Sequence, residues 1–315
     1  MKLGTKHIHW AFWALVLAVL SLSAATSMAD QSSDKATAAY REAVGSLGKG
    51  EFDKAIAQFS QAIGLSPRFA EAYSGRGTAY WSKGDMDKAI ADYTLALSFN
   101  DKLPDAWYNR GVAYMEKDEL DKAIADYDRA IALSPKDPHI YYNRGVAYAD
   151  KGQYDKALAD QNEALRLNPK FTEAYNDRGI CHWKKKDYDQ AIADYDAALK
   201  LNPKYTEALY NRGCAYAAKA ELDKAITDFD AAIALGKDLT EAYVDRGAAL
   251  VKKGDLDKAI ADFTEAIRLQ PKNPAAFALR SIAYGKKGDQ TKAAEDLAQA
   301  KKLGVTPQFL EDAAK

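Results

Sequence analysis

The sequence repeats itself with a fixed period of 34 residues over most of its length. The segment Tyr-Asn-Arg-Gly-x-Ala-Tyr occurs at residues 108–114, 142–148 and 210–216. Two alanine positions stay in register through eight consecutive repeats, one series running from Ala55 to Ala293 and the other from Ala62 to Ala300. Eight repeats therefore tile residues 36–307 without an insertion. Such a period is typical of a chain in which each repeat is one unit that stacks on its neighbours.

Each repeat contains two stretches of helical apolar spacing with a break between them. In residues 138–171 the first stretch includes Tyr141 and Val146, and the second includes Ala157 and Leu165. Gly152, in the break, suits the left-handed conformation that ends a helix. Prolines close five of the repeats, where a helix must stop: Pro67, Pro135, Pro169, Pro203 and Pro271. The sequence therefore predicts an all-α chain of helix pairs, each with a wider apolar face than it can bury alone.

This pattern resembles the tetratricopeptide repeat, or TPR. In the third repeat the family's marks, at repeat positions 4, 8, 11, 20, 24, 27 and 32, read Trp107, Gly111, Tyr114, Ala123, Tyr127, Ala130 and Pro135. The resemblance implies a right-handed superhelical α-solenoid of antiparallel helix pairs, with repeats at residues 36–69, 70–103, 104–137, 138–171, 172–205, 206–239, 240–273 and 274–307. The departures are local and lie in repeats 1, 4 and 8, at Ala39, Ala43, Ser46, Gln161, Ser281 and Val305.

The two ends of the repeat array differ from its middle, as expected for repeats that have only one neighbour. At the end of the last repeat, Thr306 followed by Pro307 resembles the start of a short helix. We therefore expect residues 308–315 to form a C-terminal capping segment.

The first 29 residues have the composition of a secretory signal peptide. Lys2 and Lys6 precede an apolar stretch at residues 10–22, and small residues follow at positions 23–29, so we expect cleavage after Ala29 and a linker at residues 30–35. The alternative is an uncleaved membrane anchor, although the apolar stretch is shorter than the roughly 20 residues that a spanning helix needs. No asparagine begins an Asn-x-Ser/Thr sequon, which favours a bacterial envelope. The sequence predicts an exported protein of the bacterial periplasm.

One pair of charged positions varies together along the repeats. Position 7 is arginine in repeats 2–8, at Arg76, Arg110, Arg144, Arg178, Arg212, Arg246 and Arg280. Position 23 is aspartate in the same repeats, at Asp92, Asp126, Asp160, Asp194, Asp228, Asp262 and Asp296. Repeat 1 lacks both. Because the two helices of a pair run antiparallel, we expect seven bidentate arginine–aspartate pairs rather than a stripe that binds phosphates.

The sequence does not support a role in catalysis, in cofactor binding or in nucleic-acid binding. The formal net charge is −1, whereas a nucleic-acid-binding domain is usually basic. No two histidines have the spacing of metal ligands, and no glycine-rich phosphate loop or nucleophile motif occurs. We therefore expect a non-enzymatic protein without a metal or cofactor. Cys181 and Cys214 replace small apolar residues, so we expect buried thiols, with a disulfide as the alternative in an oxidising compartment.

Function is then expected from the surface. In the family, the first helices of successive repeats line a concave face, with positions 2, 5, 6, 9, 12 and 13 directed towards it. The Asn residues at position 6 are similar to the asparagine ladder of O-GlcNAc transferases, where amides hold the backbone of an extended peptide. The candidate groove residues are Trp81, Tyr108, Asn109, Tyr142, Asn143, Asp177, Trp183, Tyr210, Asn211 and Asp245. The alternative is that Tyr and Asn are simply common at these positions.

The charge of the groove indicates which partner it suits. Chaperone-binding TPR domains clamp a terminal carboxylate with Lys at position 5, and this chain has none there. Position 2 is acidic in five repeats, at Glu71, Asp105, Glu173, Glu207 and Glu241. We therefore expect a scaffold that binds an unstructured, neutral or basic segment of another envelope protein. The alternative is a self-assembling structural protein, in which an element of one copy fills the groove of the next.

Overall fold

The structure is a computed structural model that describes residues 31–236, 238–306 and 308–309, with side chains from Asp34 onward. The predicted signal peptide and most of the predicted capping segment lie outside this part. The chain divides into two compact units, residues 1–169 and 170–315. Their described parts contain repeats 1–4 and repeats 5–8, respectively.

The two units are built from helices alone. The described residues form sixteen α-helices and no strand: α1 Gln31–Gly48, α2 Phe52–Leu65, α3 Ala70–Ser82, α4 Met86–Phe99, α5 Pro104–Glu116, α6 Leu120–Leu133, α7 Pro138–Asp150, α8 Tyr154–Leu167, α9 Thr172–Lys184, α10 Tyr188–Leu201, α11 Thr206–Ala218, α12 Leu222–Leu235, α13 Thr240–Lys253, α14 Leu256–Leu269, α15 Pro274–Lys287 and α16 Gln290–Lys302. Each repeat supplies two consecutive helices, which pack on each other. The predicted all-α solenoid of helix pairs is confirmed. From residue 31 onward, the segment predicted as a linker is the first turn of α1.

In every repeat, the residue at the same position of the turn between the two helices adopts the left-handed conformation. Five of these residues are glycines, whose lack of a Cβ permits a positive φ. Asp118, Lys186 and Ala220 occupy the equivalent positions with φ of 59°, 64° and 59°. The packing of the two helices therefore imposes this conformation even where the side chain disfavours it.

Small residues let the helices approach closely, as the sequence predicts. The alanines at position 27 are fully buried in all eight repeats, and those at position 20 are fully buried in all but the last, where Ala293 is half-buried. Position 8 is glycine in repeats 2–7 because the residue at position 24 lies directly over it. A Cβ added to Gly179 would stand 2.6 Å from Cε1 of Tyr195, and one added to Gly111 would stand 2.7 Å from Cε1 of Tyr127.

The predicted arginine–aspartate pairs are confirmed in all seven repeats. Each arginine donates Nε and Nη2 to the two carboxylate oxygens of its aspartate at 2.5–3.0 Å. Nη1 reaches a polar residue of the preceding repeat, as from Arg110 to Thr94 at 3.0 Å and from Arg212 to Asp196 at 2.5 Å. One guanidinium group thus ties together three helices. These arginines have structural partners, which disfavours a phosphate-binding role for them.

The tyrosines at position 24 differ in whether their hydroxyl groups are satisfied. In repeat 2, the Tyr93 hydroxyl donates to Oγ1 of Thr78 at 3.1 Å. In repeats 3 and 5, position 9 is Val112 or Ile180, and the buried hydroxyls of Tyr127 and Tyr195 have no hydrogen-bond partner among the described residues. A buried hydroxyl without a partner costs about 1–3 kcal/mol.

We expect Tyr127→Phe to raise the free energy of unfolding by about 1 kcal/mol, because it removes an unsatisfied polar atom and keeps the ring over Gly111. Tyr93→Phe is the matched control, and it should lower the free energy of unfolding by a similar amount because it removes a satisfied hydrogen bond. Urea unfolding followed by circular dichroism measures both. Equal losses in the two variants would show that the Tyr127 hydroxyl has a partner, such as a buried water.

The final repeat ends in a capped turn. The Thr306 Oγ1 accepts a hydrogen bond from the backbone N–H of Phe309 at 3.2 Å, as an N-cap residue does. The capping role of residues 308–315 stays a prediction, because this segment lies mostly outside the described part. No helix in the described ranges is long and apolar enough to cross a membrane.

Candidate functional site

The first helices of the repeats form one continuous face within each unit. In residues 31–169, the first helix of each repeat packs on the first helix of the next, from α1 through α3 and α5 to α7. In residues 170–309 the same holds from α9 through α11 and α13 to α15. Successive second helices do not pack on one another to a comparable extent in the described residues. The first helices therefore lie on the inner side of each unit, and we call their exposed surface the concave face.

Side chains of neighbouring repeats are hydrogen-bonded to each other along this face. A residue at position 5 bonds to the residue at position 6 of the next repeat, 35 residues further on. We call each such pair a rung. Three rungs are formed within the units: Tyr108–Asn143, Asn176–Asn211 and Tyr210–Asp245. Sequence reasoning missed this pairing, although the spacing of 35 is a signal that could have revealed it.

In the first unit the candidate residues are largely buried. Nδ2 of Asn143 donates to the Tyr108 hydroxyl at 2.7 Å and to the backbone oxygen of His139 at 3.1 Å. Asn109 and Tyr142 are also buried, at 4% and 5% exposure. The half-buried Trp81 packs on a cluster around Val112, and its indole nitrogen is buried without a hydrogen-bond partner in the described part of the chain. These side chains contribute to packing between repeats as well as to the surface.

In the second unit the candidate residues form two hydrogen-bonded groups. Nδ2 of Asn211 donates to Oδ1 of Asn176 at 3.0 Å, and Nδ2 of Asn176 donates to Oδ1 of Asp177 at 3.1 Å. The Tyr210 hydroxyl donates to Oδ2 of Asp245 at 2.7 Å. Asn176 thus joins the candidates Asn211 and Asp177, and Tyr210 is joined directly to Asp245. The hydrogen bonds fix the orientation of these side chains, and Asn176, Asp177 and Asn211 are buried, at 4–7% exposure.

Trp183 is half-buried on the same unit. Its indole nitrogen is buried without a hydrogen-bond partner in the described residues, and Nζ of Lys184 lies 5.5 Å from the centre of its ring. The ring is therefore covered on one side by a neighbouring lysine rather than standing free as an anchor.

The cysteines lie close to this surface but form no disulfide. Sγ of Cys214 lies 3.7 Å from Oδ2 of Asp245. Burial raises the pKa of the Cys214 thiol, and the charge of Asp245 adds to the rise. Burial also raises the pKa of Asp245, against the hydrogen bonds from Tyr210 and Cys214. A thiol held protonated in this way is a poor nucleophile.

The acidic side chains at position 2 are not neutralised by neighbouring cations. None of the carboxylates of Glu71, Asp105, Glu173, Glu207 and Glu241 forms an ion pair with another described residue, and Glu173, Glu207 and Glu241 are exposed. Position 2 of the concave face thus carries carboxylates that no ion pair within the described residues neutralises. No group of three or more His, Cys, Asp or Glu side chains in the described residues could hold a metal ion.

Lysines near the ends of the first helices form ion pairs with aspartates of the preceding repeat. Lys117, Lys151 and Lys219 bind the aspartate at position 18 of the preceding repeat, each at 2.5 Å. Lys253 and Lys287 make the equivalent ion pairs. These lysines are therefore partly neutralised between repeats, which disfavours a role for them as a binding patch.

Comparison with known protein families gives the same repeat for most of the chain. The family described as tetratricopeptide repeat matches residues 40–105, 142–205 and 176–239, and the family described as TPR repeat matches residues 113–152 and 247–288. No curated protein matches the chain.

Solved structures with this fold resemble the chain at low sequence identity. YrrB, described as a TPR protein with an unusual peptide-binding site, is 27% identical with a TM-score of 0.52, covering 58% of this chain and 95% of its own. MamA protein is 27% identical with a TM-score of 0.50, covering 54% and 93%. A tetratricopeptide repeat protein from Parabacteroides merdae is 22% identical with a TM-score of 0.60, covering 78% and 97%.

These findings agree with the repeat period, the helix pairs and the small-residue contacts described above. A TPR fold supports a protein–protein interaction scaffold in general, and TPR proteins are generally non-enzymatic. The helix pairs, the family matches and the structural neighbours all lead to one conclusion: this chain belongs to the tetratricopeptide repeat family.

Proposed function

We propose that this protein is a non-enzymatic scaffold that binds an extended, neutral or basic segment of another protein on its concave face. The observation that carries the proposal is the row of acidic side chains at position 2 that have no ion-pair partner within the described residues. Elsewhere on the molecule acids are commonly paired, as in the seven arginine–aspartate pairs. Unpaired charge on one face attracts a partner of opposite charge and sets its orientation.

The rungs add the polar groups that an extended backbone needs. An asparagine amide offers both a donor and an acceptor, and so does a peptide group. Because the rungs already hold these amides in place, binding requires little further ordering of the protein side chains. The peptide-binding site in the description of YrrB supports the same kind of activity. The assignment of Trp81, Tyr108, Asn143, Asp177 and the other candidate residues to this groove is part of the proposal.

The compartment follows from the predicted signal peptide. We place the protein in the bacterial periplasm and its partner among the envelope proteins. The basic, apolar and small-residue order of the first 29 residues supports this placement. Determination of the N-terminal residue of the protein purified from cells tests it, since export with cleavage leaves Asp30 as the first residue.

Photo-crosslinking in living cells tests the groove. Tyr142 is buried, so a crosslinking amino acid there would report on packing, whereas Glu207 is exposed on the first helix of repeat 6. We expect a crosslinker at Glu207 to capture a distinct envelope protein. The matched control is Ala234, an exposed residue on the second helix of the same repeat, where we expect no such adduct.

The pattern of adducts decides between the proposal and its rivals. Adducts only between copies of this chain would favour the self-assembling alternative. A partner captured equally from Glu207 and Ala234 would move the binding surface away from the concave face.

A further inference from the structure

The rungs of the concave face are interrupted at two consecutive places in the first unit. The 35-residue register places Tyr40 opposite Gly75, and Ser74 opposite Asn109. Gly75 has no side chain that could accept a bond, and the serine side chain is much shorter than the tyrosine that bonds to Asn143 in the next rung. Two polar side chains in repeats 1–3, those of Tyr40 and Asn109, therefore lack a rung partner.

Tyr40 presents an unsatisfied hydroxyl at the surface. Its side chain is 4% exposed, and its ring packs on Phe59 and Phe69 with centroid distances of 5.7 and 5.1 Å. No described residue forms a hydrogen bond with the hydroxyl, which retains some contact with solvent. The rest of the side chain is fixed, and the one group that remains accessible is a hydrogen-bond donor and acceptor.

Asn109 presents an unsatisfied amide in the same way. The residue is 4% exposed, and neither its oxygen nor its nitrogen forms a hydrogen bond within the described ranges. Both atoms retain some contact with solvent. Buried polar side chains normally have partners, so a fixed amide with both of its groups free is unusual. It is ready to bond to a peptide group of a ligand.

Two unpaired carboxylates flank these groups. Glu71 and Asp105, at position 2 of repeats 2 and 3, form no ion pair within the described residues. Burial, and then the charges of Glu71 and Asp105, raise the pKa of Tyr40 to about 12. Burial and the charge of Asp137 raise the pKa of Asp105. The region thus holds negative charge without a counter-ion, and the Tyr40 hydroxyl stays protonated as a donor.

We propose that the surface formed by Tyr40, Glu71, Asp105 and Asn109 binds a lysine or arginine side chain of an extended segment, together with the adjacent peptide groups. The inference rests on the proposed function and names the residue type that the segment must carry. Glu71 and Asp105 supply the counter-charge, while the Asn109 amide and the Tyr40 hydroxyl bind the backbone beside the basic residue. A metal ion suits the surface less well, because no cluster of three ligands occurs in the described residues.

Peptide arrays test this inference with the full chain. The probes are peptides of roughly ten residues, spanning about 33 Å when extended, with mixed small and polar residues around a fixed central Lys, Arg, Gln or Glu. We expect the Lys and Arg sets to bind at least about tenfold more tightly than the Gln set. Asp105→Asn should remove most of that preference. Glu295→Gln is the matched control, since it also removes one negative charge, from an exposed carboxylate on α16, a second helix outside the concave face, and it should leave the preference in place.

A second variant repairs one interrupted rung. Ser74→Tyr introduces at position 5 the residue type that bonds to Asn143 in the next rung. The new hydroxyl should form a hydrogen bond with the Asn109 amide and so reduce binding of the Lys and Arg sets. Circular dichroism shows whether the variant folds.

The arrays separate the failure of this inference from the failure of the proposed function. Binding of all four sets without a preference, or a preference that Glu295→Gln removes as fully as Asp105→Asn, would overturn the inference and leave the proposed groove function standing. Binding of no set would overturn both.

Discussion

Gly179→Ala is expected to lower the free energy of unfolding by about 2 kcal/mol. The added Cβ would stand 2.6 Å from Cε1 of Tyr195, whose ring is fully buried and cannot move aside. Overpacking of this kind costs about 1–3 kcal/mol or more, and the higher helix propensity of alanine recovers only about 1 kcal/mol. Urea unfolding of the wild-type and variant chains measures the difference.

Gly64→Ala is the matched control for this prediction. Gly64 lies in α2, is exposed, and has no heavy atom within 4 Å of the position that a Cβ would take. The same substitution should therefore raise the free energy of unfolding there by about 0.5–1 kcal/mol. If Gly179→Ala were stabilising as well, the ring at position 24 would not restrict position 8 to glycine.

Arg212→Met is expected to lower the free energy of unfolding by about 3 kcal/mol. Arg212 forms a bidentate pair with Asp228 and also binds Asp196 of the preceding repeat. Without Arg212, the carboxylate of Asp228 stays buried, at 5% exposure, and has no cation beside it. Removing one partner of a buried ion pair costs about 3–5 kcal/mol. The same urea titration gives the value.

Two further variants show whether the cost comes from the unpaired carboxylate. Adding Asp228→Leu to Arg212→Met should recover stability to within about 1 kcal/mol of wild type, since an apolar pair can replace a buried ion pair. Lys219→Met breaks the surface ion pairs with Asp189 and Glu221 and should cost less than about 1 kcal/mol. A loss as large as that of Arg212→Met would mean that burial does not set the cost.

Most of the fold follows from the 34-residue period. The period, the small residues at positions 8, 20 and 27 and the prolines predict sixteen helices in eight pairs, as observed in the described residues. The arginine–aspartate pairs could also be predicted, because the two residues appear and disappear together along the chain. Local chemistry did not predict the left-handed turns at Asp118, Lys186 and Ala220, where packing overrides the preference of the residue.

The candidate site could be predicted only in outline. Position 5 and position 6 residues were expected to face the groove, but their mutual bonds across repeats depend on the rise and rotation from one repeat to the next, which the residue types do not specify. The hydroxyls of Tyr127 and Tyr195 illustrate the same limit, since their lack of partners depends on the side chains at position 9 that lie opposite them in three dimensions.

The sequence by itself therefore determined the repeat, the helix pairs and the partners within a pair, because these depend on short spacings along one chain segment. The tertiary structure alone decided which polar groups of the concave face are satisfied by a neighbouring repeat and which remain free, such as those of Tyr40 and Asn109. The physical reason is that a hydrogen bond requires its two atoms within about 3 Å, and only the packed geometry of successive repeats fixes that distance.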